Sequence, residues 1–127
     1  MSLTKNKLVE ETQILTPEFS ELLGMYFVCE KTAKHITKSK TLNIATINNS
    51  IKTLNLNIAK SDLDLIFNTG SAWKSKNQKS FRIIRNSVCH NCSITDRNFA
   101  VKNKTQYKQA MQAFLDEIYK LFERKRK

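Results

Sequence analysis

Apolar residues recur along most of this chain at steps of three and four, a spacing that predicts helices. Leu8, Val9, Thr12 and Leu15 suit a short, weakly amphipathic helix over Thr4–Leu15, with Thr4 as its cap. Thr16-Pro17-Glu18 is a stronger start: a capping Thr, a Pro at the first helical position and an acid against the positive helix end. Phe19, Leu22, Leu23, Tyr26, Phe27, Glu30 and Ala33 then continue the pattern, which predicts a core helix to about Lys38.

Ile44, Ile47, Ile51, Leu54 and Ile58 form the next apolar seam, a core stripe rather than a free coiled coil because it lasts barely two heptads. Ser61-Asp62-Leu63-Asp64 predicts a capped start for a short helix through Leu65, Ile66 and Phe67, stopped by Gly70. Ser71 caps a further predicted helix, in which Trp73, Phe81, Ile84 and Val88 share a face. The polar run from Cys92 to Thr105 has little periodicity and reads as a loop. From Thr105 the pattern returns with Tyr107, Met111, Phe114, Leu115, Ile118 and Phe122, a helix that ends in cations.

With only two Gly and one Pro, the chain lacks the turn residues of a sandwich or barrel. The expectation is all-α: a four- to five-helix up-and-down bundle forming a single domain over residues 1–127, with a frayed basic tail at 124–127. Lys and Arg number 22 against 11 Asp and Glu, a net charge of +11 that attracts polyanions, nucleic acid first among them. Three Cys argue for a reducing compartment rather than a disulfide framework. No apolar run reaches the roughly 18 residues of a membrane span, so the expected location is the cytoplasm, with no membrane partner.

The dense chemistry lies in Phe81 to Cys92, FRIIRNSVCHNC. With residues advancing about 100° each, Arg85 falls at the margin of the apolar face, while Asn86 and His90 fall together on the opposite face with Lys79 and Ile83. An Ile on a polar face suggests cover by another subunit, making Ile83 a candidate dimer contact. Arg85 can grip a phosphate with two hydrogen bonds, His90 can carry a proton to or from a ribose hydroxyl, and Asn86, one turn before it, can orient the imidazole. These roles suffice for RNA cleavage by the neighbouring 2′-OH, which needs no metal or other cofactor. Arg85 and His90 nevertheless point about 140° apart on a straight helix, so either the helix breaks near Cys89 or two copies complete one site.

This R-N-x-x-x-H arrangement at Arg85, Asn86 and His90 resembles the motif of the HEPN superfamily. The resemblance implies a helical, commonly dimeric domain and a metal-independent endoribonuclease of toxin-antitoxin or phage-defence type, with RNA as substrate and a cognate antitoxin protein as a further partner. Some members carry a Tyr two positions after the His, where this chain has Cys92. Lys79, Arg82 and Arg97 are the candidate RNA contacts beside the motif. The alternative function is a non-catalytic module that holds RNA or protein through the same basic surface.

Cys89-His90-Asn91-Cys92 is also a C-x-x-C. Redox catalysis would want a βαβ setting with the first Cys at a helix start, and a zinc site would need Cys29 and His35 as further ligands, at irregular spacing.

Overall fold

The computed structural model describes residues 4–68 and 79–125, and among these every regular element is a helix. The helices are α1 (Lys5–Thr12), α2 (Pro17–Thr37), α3 (Ile44–Thr53), α4 (Lys60–Phe67), α5 (Phe81–Asn91), α6 (Ile94–Lys102) and α7 (Lys104–Lys125). None of the described helices is long and apolar enough to cross a membrane.

The capping chemistry sets the first boundaries. Thr4 accepts from Lys7 N to start α1, and Thr16 accepts from Phe19 N to start α2 with Pro17 in its first turn. In α2, Phe19, Leu22, Tyr26, Cys29 and Ala33 are buried, a run of alternating three- and four-residue steps that turns one face to the core. Phe27 departs from the sequence expectation: it lies off that face and is 45 % exposed.

The two longest helices, α2 and α7, pack on each other, and α4 packs on α7 and α5. Phe81 at the start of α5 is fully buried at the junction, its ring 5.3 Å from Tyr26, 5.7 Å from Phe19 and 5.7 Å from Tyr107. Phe67 extends the aromatic cluster to Phe114 at 5.4 Å. Such packing anchors the first turn of α5 from several elements at once.

Seven described helices replace the four or five expected, for local reasons. Residues 92 to 105 are not a loop: Ser93 accepts from Asp96 N and starts α6, whose only buried residues are Asp96 and Ala100. So thin a buried face leaves no apolar stripe to read. Asn103 ends α6, and its carbonyl accepts from Gln106 N and Tyr107 N to begin α7. The Ile44 seam stops at Thr53, because Asn55 turns left-handed at φ 56° and Leu56 N donates back to Ile51 O at 3.0 Å. Leu56 is buried all the same, so the apolar seam outlasts the helix.

α4 starts at Lys60 after Ala59, without a side-chain cap, and Ser61 lies inside it. Its end at Phe67 is marked by Asn68 Nδ2 donating to Asp64 Oδ1 at 2.9 Å. α5 does not run on from the Trp73 region: Ser80 is extended, fully buried and accepts from Ile83 N as the cap. Ser71, Trp73 and the Gly70 stop lie outside the described residues.

Candidate functional site

α5 is held at its start by more than its aromatic anchor. Lys79, just before the cap, donates from Nζ to Asp96 Oδ1 at 2.7 Å, and its backbone carbonyl accepts from Tyr107 Oη at 2.7 Å. Three parts of the fold therefore meet there: the entry to α5, the first turn of α6 and the first turns of α7. Lys79 lies outside the helix rather than on its polar face, and its charge serves a carboxylate that is only 7 % exposed.

The other cations beside the motif are also engaged within the chain. Arg82 Nη2 donates to Leu42 O at 3.4 Å, tying α5 to the segment before α3. Arg97 Nη1 donates to Gln13 O and Ile14 O at 3.2 and 3.3 Å, stapling α6 to the turn between α1 and α2, while its Nε and Nη2 meet Asn98 Oδ1.

Arg85 is half-buried against α2. Its guanidinium carbon lies 5.9 Å from the centre of the Phe27 ring, and Nη1 donates to Asn86 Oδ1 at 3.0 Å. Its Nε is buried with no hydrogen-bond partner among the described residues, so the group is wedged in place while part of its donor set remains unused. Tyr26 is buried within electrostatic reach: burial pushes its phenol well above the ordinary range, the Glu30 carboxylate adds to this, and Arg82 and Arg85 work against it. Arg85 thus acts on a buried phenol that also feels the Glu30 carboxylate.

His90 is exposed. α5 continues unbroken through Asn91 and stops only at Cys92, which is left-handed at φ 50° and donates from its N to Val88 O. A helix break that swings His90 toward Arg85 is therefore absent, and the two side chains leave α5 about 140° apart. The arc between their directions carries Cys89, Arg82 and Asn86. Ile83 is half-buried within the chain.

Asn86 does not serve the imidazole with its oxygen, which Arg85 occupies. Phe27, assigned by its spacing to the core, instead forms part of the site, and its place at the edge of the apolar stripe of α2 was the available signal. Cys29 is buried, with its thiol pushed up to about 12 by burial and lying 3.9 Å from Met111 O, whereas Cys89 and Cys92 are exposed. His35 stacks on Phe122 near the other end of α2, so the four side chains of the zinc reading are scattered. Among the described residues no three His, Cys, Asp or Glu side chains are grouped to hold a metal ion.

Comparison with protein-family models, curated proteins and solved structures finds no match to this chain.

Proposed function

We propose that the chain is a metal-independent endoribonuclease of the HEPN kind, acting as a two-fold dimer whose α5 helices together form one cleft. The observation that carries this reading is the arrangement on α5: Arg85 wedged between Phe27 and Asn86, and His90 exposed on a different side of the same unbroken helix. A phosphate clamp and a proton carrier are then both present, but they cannot converge within one copy.

In this reading Arg85 holds the scissile phosphate through the guanidinium hydrogens that Asn86 leaves unused, and Asn86 is a positioning residue for the Arg. His90 of the second copy takes the proton from the 2′-OH as that oxygen attacks phosphorus. The 5′-oxygen leaves and takes a proton from water, His90 gives up its own proton to solvent, and the products are a 2′,3′-cyclic phosphate and a free 5′-OH. Lys79, Arg82 and Arg97 are struts first, and the affinity for RNA comes from the wider excess of positive charge. The toxin-antitoxin or phage-defence setting follows from the motif resemblance alone.

The test is incubation of the pure protein with total RNA in EDTA, wild type beside Arg85→Ala and His90→Ala. Cleavage by the wild type that both substitutions abolish, with helicity unchanged, is the expected result. Undiminished cleavage by both variants overturns the assignment, and salt-sensitive RNA binding without product makes the chain a non-catalytic binding module.

A further inference from the structure

A cavity of about 650 Å³ lies away from the α5 motif, between the C-terminal end of α2, the turn that follows it, Leu54 at the end of α3 and the last turns of α7. Its size is that of sites for small organic molecules, about 300–1,000 Å³. The floor is aliphatic: Ile118 is almost fully buried, and Leu54 and Leu121 stand half-buried around it. The rim is cationic, with Lys34, Lys38 and Lys40 and no carboxylate among the lining residues.

These cations are not equivalent. Lys34 is committed to Glu30 at 3.6 Å, whereas Lys38 and Lys40 are exposed and have no acidic partner among the described residues. Lys38 takes the left-handed position that ends α2, at φ 54°, where glycine is the usual residue. The helix end thereby keeps a cation on the rim at a backbone cost. The negative end of α2 is also partly quenched from within. Thr37 Oγ1 donates to Ala33 O and Lys34 O, Lys38 N donates to His35 O, and Ser39 N donates to Lys34 O. An anion arriving between Lys38 and Lys40 therefore meets few free carbonyls.

We propose that this cavity binds an amphiphilic anion, a carboxylate carrying an unbranched aliphatic chain, with the tail on Leu54, Ile118 and Leu121 and the carboxylate at Lys38 and Lys40. An aliphatic body is favoured over a nucleotide base because the floor is aliphatic, whereas the two aromatic groups of the lining, His35 and Phe122, stand at its exposed edge beside each other. The His35 and Phe122 ring centres lie 6.5 Å apart, with planes 29° from parallel. The remaining wall offers methyl and methylene groups. The proposal does not depend on the ribonuclease reading.

The test is calorimetric titration of the full chain with sodium decanoate below its micelle concentration, beside decanol, inorganic phosphate, adenosine monophosphate and phosphatidylglycerol vesicles. Saturable decanoate binding is expected, with decanol, phosphate and the nucleotide each weaker by about tenfold or more. The double variant Lys38→Glu/Lys40→Glu, whose side chains are exposed, should retain its helicity and lose affinity about tenfold. Equal or tighter binding of the nucleotide, binding to vesicles without binding to free decanoate, or unchanged affinity in the double variant overturns the proposal.

Discussion

Replacing Lys79 by Met tests whether this cation is a strut or an RNA contact. The substitution keeps the aliphatic stem but removes the ammonium from Asp96, whose side chain is 10 % exposed against 42 % for Lys79. An exposed ion pair contributes about 0.2–1 kcal/mol, whereas breaking a buried one from one side costs about 3–5 kcal/mol. With the carboxylate nearly closed off and the Lys almost half in water, the expected loss lies between these limits, about 2 kcal/mol. Asp96→Asn leaves a Lys that can turn to solvent and should cost about 1 kcal/mol. The double variant strands no charge and should match Asp96→Asn to within about 0.5 kcal/mol. Urea unfolding of the four proteins measures the cycle, and with a slope of about 1–3 kcal/mol/M the Lys79→Met midpoint should fall by roughly 1 M. The double variant also lacks the Lys79 charge on a restored fold, so under the proposed ribonuclease function its cleavage rate should equal that of the wild type. A Lys79→Met protein within about 0.5 kcal/mol of wild type, or single losses that add to within about 0.3 kcal/mol, would refute the strut.

Three further outcomes follow from the packing. Phe81→Ala should cost about 3–5 kcal/mol and Phe27→Ala under about 1 kcal/mol, and the reverse order in chemical denaturation would contradict the aromatic cluster as the anchor of α5. Stability should fall as pH rises above about 9: Cys29, pushed up to about 12, and Tyr26 and Tyr107, also raised by burial, stay neutral when folded but ionise earlier once unfolded. Cys29 alone should remove about 1.4 kcal/mol by pH 10, so a urea midpoint that stays flat from pH 8 to pH 10.5 would count against this. Ellman's reagent should label Cys89 and Cys92 quickly and Cys29 only on unfolding, and rapid reaction of all three thiols in the native protein would contradict the buried position of Cys29.

Legibility in the sequence followed how much of each element is buried. α2 could be read from both its cap and its stripe, because Thr16-Pro17 sets the start and five of its residues reach the core. α6 could not, since Asp96 and Ala100 are all it buries and its one clear mark is Ser93 at the cap. The helical setting of Arg85, Asn86 and His90 was legible from spacing, as was their divergence. What spacing could not supply was the neighbourhood: the Phe27 ring under Arg85, the Asn86 oxygen already taken, and the backbone carbonyls that occupy Arg82 and Arg97. Apart from the Arg85–Asn86 bond between neighbours on one helix, these are contacts between elements distant in sequence, and a residue's own periodicity carries no record of them.

The continuity of α5 through His90 also fixes a register. Arg85 and His90 are five residues apart, about 7.5 Å along the axis. In the proposed dimer with antiparallel α5 helices, Arg85 of one copy comes level with His90 of the other only if the symmetry axis crosses at the height of Ser87 and Val88. Cys89 then stands level with Asn86 of the second copy, so the exposed thiol is a native reporter of that symmetry. A bulky maleimide placed there would force the two helices out of step.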